Sequence, residues 1–256
     1  MSPHTLVSEK NPLLRDVRRA AGRGALTDEG YALAEGPHLL EEAVRSGVEI
    51  GAVIVSEGAG GTLADQGARP TRVLRVSDAV FRGLSSTETP QGVLALVRPR
   101  AWSLDQVLAN ASLLVVLDGV RDPGNAGAIL RAAEAFGASG AVFLKGSVSP
   151  YNSKCMRASA GSIFRVPVVT GVEVHEFLAR RLSLYAADPR APLSIRGADL
   201  KPDCALVVGA EGGGVSPQVR AAATGLRIPT AAVESLNAAV AAGILLYEAR
   251  RQRGAA

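Results

Sequence analysis

The sequence predicts an α/β protein whose larger part is built on a mostly parallel sheet. Beyond residue 112 the apolar residues come in short unbroken runs, "LLVVLDG" (113–119), "GAVFLKG" (140–146), "LSLYAAD" (182–188) and "ALVVGAE" (205–211). Such runs read as strands covered on both faces, and the helical segments between them suggest parallel βα units. The chain is also long enough, at 256 residues with 47% hydrophobic composition, for two compact domains, each with its own core.

The first hundred residues read as a small α/β unit. "NPLLRDVRRAAGRGA" has the spacing of a helix with a basic face, carrying Arg15, Arg18, Arg19 and Arg23. "ALAEGPHLLEEAVRSG" begins as a strand, breaks at Gly36-Pro37 and turns helical, with Leu39, Leu40, Ala43 and Val44 on one side. "GAVIVSE" is a short buried strand, and "GAGGTLADQGARP" a Gly-rich surface loop. "TRVLRVS" alternates as a strand, "DAVFRGLS" forms a helical turn or two, and "GVLALVRP" closes the sheet. "RPRAWSLDQVLANAS" then reads as a linker with one short helix, which places the domains at 1–98 and 113–256 with 99–112 between them.

Several function classes lose ground on composition. The net charge of +4 and a pI near 9.4 are compatible with a polyanionic partner. Cys155 and Cys204 have neither zinc spacing nor the density of a disulfide scaffold, which favours a reducing cytoplasm. His4, His38 and His175 are scattered, so no metal is expected. No run approaches the roughly 18 apolar residues of a membrane span, and "MSPHTLVSEKNP" lacks the apolar core of a signal peptide.

Three segments end a strand or open a helix with polar residues, where ligands bind in open α/β sheets. In "LLVVLDGVRDPGNAGAILRAAEAFGA", Ile129, Ala133 and Phe136 share one helical face while Gly127 and Arg131 point the other way. Asn125 is either an ordinary N-cap or a site residue, and Arg131 either a solvated cation or a phosphate or carboxylate clamp. Gly119, Gly124 and Gly127 do not fit G-x-G-x-x-G, and the next strand ends at Lys145 rather than at an acid that would grip a ribose. Lys145 would suit a phosphorylated ribose, so a nicotinamide oxidoreductase stays open. "ALVVGAEGGGVSP" ends in glycines that let backbone approach a ligand, with Glu211 where a phosphate loop would carry Lys-Ser/Thr. That acid suits a cationic or hydroxyl-bearing ligand, or is simply solvated. In "ESLNAAVAAGILLYEARRQR", Glu234, Ser235 and Asn237 crowd the entrance of an apolar helix, as a cap, a reaction site or both.

In this order and spacing, "LDGVRDPGNAGAILRAAEAFGASG", "GAEGGGVS" and "IPTAAVESLNAAVAAGILLYE" resemble the SpoU (TrmH-like) branch of the SPOUT RNA methyltransferases. "SVSPYNSKCMRASAGSIFRVPVV" also looks like the family. "LAEGPHLLEEAV" with "SSTETPQGVLALV" resembles the substrate-binding domain that many members carry, related to some ribosomal proteins. The resemblance implies a C-terminal α/β domain with a deep trefoil knot, a topology that ordinary connection rules would not predict. It implies S-adenosylmethionine in the knotted loops and a homodimer whose partner completes the site. Carried over by position, Gly209, Glu211, Gly212, Ile228, Pro229, Leu236 and Asn237 would hold the cofactor. Asn125, Arg131, Glu211, Ser235 and Asn237 would form the catalytic constellation. The loop 230–233, "TAAV", is one residue shorter than the family pattern and lies where the adenine is expected.

The implied reaction methylates a ribose 2′-hydroxyl, which limits the substrate to RNA. Family analogy favours ribosomal over transfer RNA. Arg15, Arg18, Arg19 and Arg23 would contact phosphate, or else form a solvated helix face. A catalytically impaired RNA-binding module is the rival reading, because of the short loop.

Overall fold

The computed structural model describes residues 8–59, 70, 72–109 and 111–254. Contacts divide the chain into two compact units, Met1–Arg100 with Tyr151–Phe164, and Ala101–Pro150 with Arg165–Ala256.

In the first unit, helix α1 (Pro12–Arg23) starts where the Asn11 side chain accepts the Leu13 N–H, with proline in the first turn. It stops at Gly24, whose φ of 60° is left-handed. Leu14, Val17 and Ala20 face the core, while Arg15, Arg19 and Arg23 are exposed, as the helical spacing requires. Strand β1 (Ala32–Glu35) gives way at Gly36-Pro37 to helix α2 (Pro37–Arg45). Glu42 joins Leu39, Leu40 and Ala43 as the buried residues of α2, whereas Val44 is half-buried. Strands β2 (Glu49–Ser56) and β3 (Arg72–Val76), helix α3 (Asp78–Arg82) and strand β4 (Val93–Arg98) follow.

The sheet order is β1-β4-β2-β3, so β4 lies between β1 and β2 rather than at an edge. It pairs antiparallel with both neighbours, and Val93–Val97 are all buried. Leu14, Val17, Ile54, Phe81 and Leu96 lie in this unit's core. Helix α6 (Ser153–Ala158) also packs here, against β1. The Gly-rich loop read at 58–70 falls for the most part outside the described residues.

The second unit opens with helix α4 (Leu104–Ala109), within the stretch read as a linker. Its Val107 is buried against Leu114 and Val142, with Trp102 and Leu108 packed beside it. Then come β5 (Leu113–Asp118), α5 (Pro123–Ala135), β6 (Gly140–Leu144), β7 (Val168–Val172), α7 (Val174–Leu178), β8 (Leu184–Ala187), β9 (Cys204–Gly209), α8 (Pro217–Ala222), β10 (Thr224–Leu226) and α9 (Ala238–Gln252). The strands order as β10-β8-β9-β5-β6-β7, and every pairing is parallel. β5, β6 and β9 are buried at every residue, the consequence of their unbroken apolar sequence.

Helices α5 and α9 pack on each other. The far end of α9 is tied down by Arg253, whose guanidinium donates to the carbonyls of Ser112 (2.9 Å) and Pro202 (2.6 Å) while its Nε donates to that of Leu200 (2.8 Å). Among the described residues no helix is long and apolar enough to cross a membrane.

Candidate active site

Parallel strands leave their C-terminal ends at one rim. There the connections after β8, β9 and β10 surround a cleft of about 890 Å³, within the range of small-molecule sites.

The turn after β9 folds back on itself. Ala210 N–H donates to the Gly214 carbonyl at 3.0 Å and Gly214 N–H to that of Ala210 at 2.8 Å. A Cβ on Gly209 would sit 2.0 Å from the carbonyl carbon of Gly214, so no other residue fits there. This glycine makes room for the chain's own backbone. The glycines that leave open space for a ligand are Gly212 and Gly213, around which a Cβ would meet nothing within 4 Å.

Asp122 caps α5 by accepting the Asn125 N–H at 2.8 Å. Asn125 is therefore not the cap, and its side chain turns to the cleft rim instead. A carboxylate can only accept, so the Asn125 Nδ2 donates to Glu211 Oε1 at 2.5 Å. That leaves Asn125 Oδ1 to accept from Asn237 Nδ2 at 3.0 Å. Asn237 Oδ1 in turn accepts the N–H groups of Ala239 (2.9 Å) and Val240 (3.3 Å), capping α9. One polar relay thus runs from Glu211 through Asn125 to the helix N-terminus, with its direction set by the carboxylate. The polar entrance to α9 is at once a cap and a site.

The other residues expected here divide. Gly209, Glu211, Gly212, Ile228, Ser235, Leu236 and Asn237 all line the cleft. Pro229 is exposed and does not, although its neighbours Ile228 and Thr230 do. Thr230 Oγ1 donates to the Val233 carbonyl at 2.8 Å, which closes the short loop on itself. Arg131 is exposed on α5, outside the cleft lining, and has no ion-pair partner among the described residues. Six positions beyond Asn125 it stands about 120° around the helix axis, so it cannot join the relay of its own chain. Gly127 is buried with Ala126, Ile129 and Leu130, a correction to the open glycine face expected from the helical wheel. The apolar face of α5 is wider than its largest side chains suggested, because alanine and glycine belong to it.

Sequence reasoning missed the contribution of β8. Asp188 and Arg190 line the cleft, with the Arg190 N–H donated to Asp188 Oδ1 at 2.9 Å. The signal was present: "LSLYAAD" ends a parallel strand on an acid. Arg220 of α8 and Glu234 also line it.

In the first unit, Arg19 is held by Asp16 (2.7 Å) and by Asp28, and Arg18 Nη1 donates to the Glu9 carbonyl at 3.1 Å. Arg15 and Arg23 are exposed on the same face.

Comparison with known proteins bears on all of this. The family model described as SpoU rRNA Methylase family matches residues 112–247, and that described as MRM3-like substrate binding domain matches residues 11–95. The 23S rRNA (guanosine(2553)-2′-O)-methyltransferase RlmP of Bacillus subtilis is 30% identical, over 95% of this chain and 98% of that protein. An uncharacterized tRNA/rRNA methyltransferase of Synechocystis is 34% identical, over 98% of this chain and 95% of its own length. The SpoU methyltransferase AviRb of Streptomyces viridochromogenes, in complex with AdoMet, superposes with a TM-score of 0.85 at 28% identity, over 96% of this chain and 99% of that one. An AdoMet-bound rRNA methyltransferase from Sinorhizobium meliloti gives 0.80 at 29% identity, over 96% and 97%.

Proposed function

Because this chain belongs to the SpoU rRNA methylase family, we propose that it transfers the methyl group of S-adenosylmethionine to a ribose 2′-hydroxyl of ribosomal RNA. The observation that carries this reading is the hydrogen-bonded relay of Glu211, Asn125 and Asn237 at the rim of the cleft.

The cleft suits the cofactor chemically. Ile228, Leu236 and Val208 offer apolar surface for an adenine, while Asp188, Glu211 and Glu234 offer carboxylates to a ligand bearing a sulfonium and an ammonium. When bound, S-adenosylmethionine supplies an electrophilic methyl group. The protein's task is then to align the nucleophile and ease loss of its proton. Glu211 orients Asn125, and Asn125 with Asn237 presents amide groups to the ribose. Ser235 adds a hydroxyl at the mouth. An arginine guanidinium does not give up its proton in a protein. Arg131 therefore clamps a phosphate and stabilises the developing alkoxide, leaving proton removal to solvent or phosphate.

Arg131 lies outside the cleft of its own chain, which supports a homodimer whose second copy supplies that cation. On α9, Val240 and Tyr247 are 51% and 55% exposed, on one face with Gly243, beside which a Cβ would meet nothing. Phe136 of α5 meets Tyr247 edge-on, with ring centroids 5.8 Å apart, and extends that apolar face. The first unit binds RNA in this reading, with Arg15, Arg18, Arg19 and Arg23 near phosphate, and the enzyme works in the cytoplasm.

The test is to map ribose methylation in total RNA from cells with and without this protein. Loss of one 2′-O-methyl group in ribosomal RNA is expected. Loss confined to transfer RNA would overturn the substrate assignment, and no loss would overturn the activity.

A further inference from the structure

We infer that Asp118 is a positioning residue for the cleft, fastening the far end of the loop that carries Glu211 to the strand beside which the loop begins. The inference rests on the reading of the cleft as the S-adenosylmethionine site.

Asp118 is the last residue of β5 and is only 5% exposed. A carboxylate so placed is costly unless its charge is met by hydrogen bonds or a counterion. No cation pairs with it among the described residues. Its Oδ2 instead accepts the backbone N–H of Ser216 at 2.6 Å. Ser216 marks the far end of the loop, where α8 begins. Among the described residues the buried Ser216 hydroxyl has no hydrogen-bond partner and does not cap α8, so nothing local replaces what Asp118 provides.

The near end of the loop starts from the neighbouring strand, beside the same residue. In the β5–β9 ladder Asp118 stands opposite Gly209, the last residue before the turn. Between these two points run Ala210 to Val215, with Gly212 and Gly214 at φ of 80° and 68°. A segment that rich in glycine has little stiffness of its own. Four positions after Asp118, Asp122 caps α5 and sets Asn125 in place. Both partners of the 2.5 Å contact between Asn125 and Glu211 are therefore positioned from one β5–α5 connection. Asp118 is not part of the cleft lining, so it acts through the loop and not on a ligand.

The experiment deletes one bond from either side. Asp118→Ala removes the acceptor, and Ser216→Pro removes the donor at a φ of −58°, a value proline adopts, while its ring Cδ crowds the Asp118 carboxylate, so this single variant should be the weaker of the two. Each variant is expected to weaken S-adenosylmethionine binding about tenfold or more in calorimetry, the scale of one charge-assisted hydrogen bond. The KM for S-adenosylmethionine should rise in step, while that for ribosomal RNA stays unchanged. The double variant should bind no worse than the weaker single one, because both changes remove the same contact. Asp118→Asn keeps an acceptor oxygen and should regain most of the affinity; with Ser216→Pro it carries the comparison should Asp118→Ala not fold. Wild-type affinity in the variants, additive losses, or a joint rise of both KM values overturns the inference. Absence of binding by the unaltered chain sinks the cofactor reading itself.

Discussion

Glu35 closes β1 and Glu211 lies two residues past the end of β9, one in each unit, and their surroundings differ in kind. Glu35 is 7% exposed and its oxygens are fully engaged. They accept from Ser86 N (3.1 Å), Ser86 Oγ (2.7 Å), Thr87 Oγ1 (3.0 Å), Arg157 Nη1 (3.2 Å) and the Ser85 hydroxyl. Burial pushes its carboxyl up, but the hydroxyls of Ser85, Ser86 and Thr87 and the Ser86 N–H more than offset that and hold it below the ordinary range. Glu211 is exposed and, among the described residues, accepts a side-chain hydrogen bond from the Asn125 amide alone. The first arrangement is closed and binds a loop and α6 to the sheet of its unit. The second keeps acceptor capacity for a ligand, which is what a site requires and a core forbids.

Substitutions can break or sharpen this contrast. The largest effect is expected at the open site. Arg131→Ala should lower kcat about 10²–10³-fold, as loss of one preorganised donor does, with little change in S-adenosylmethionine affinity by calorimetry. Near-normal turnover would remove Arg131 from the reaction. Gly209→Ala should cost about 3 kcal/mol in thermal or denaturant unfolding, because its Cβ would collide with Gly214 backbone. It should also abolish cofactor binding.

At the closed network, Glu35→Gln should destabilise the protein by about 2 kcal/mol, since charge-assisted acceptors are lost. Cofactor affinity in the second unit should not change. The sign of the pH dependence follows from the depressed pKa. The stability from Glu35 is present above the ordinary value of 4.5 and is lost as pH falls through the lowered one. Melting curves of the unaltered chain should show that acid step, and those of Glu35→Gln should show a smaller one.

The smallest effect is expected among the arginines of α1. Arg15→Ala or Arg23→Ala should each flatten the log–log salt dependence of ribosomal RNA binding by about one unit. Arg19→Ala should flatten it less, because Asp16 and Asp28 already share its charge. Equal slopes for Arg19→Ala and Arg23→Ala would discount that pairing.

Much of the site was legible in the chain because its signals are local. "LDGVRDPGN", "GAEGGG" and "ESLNAA" each end a strand or open a helix, and the structure joins Asn125, Glu211 and Asn237 directly. The exclusion of Arg131 from its own cleft was not legible, since motif spacing carries no angular relation between a helix and a neighbouring loop. The steric demand on Gly209 was not legible for a similar reason. Its neighbour is backbone of the same turn, and only the folded loop reveals that contact.

Alone, the order of residues determined the main strands and helices and the identity of several polar groups at the rim. Apolar periodicity and turn chemistry act over a few residues, and those can be read along a line. Tertiary structure decided that β4 is internal, that Tyr151–Phe164 packs with the first unit, and that a buried Asp118 holds Ser216. Each of these depends on partners distant in the chain, chosen by burial and by the need to satisfy every buried polar group once the core has closed.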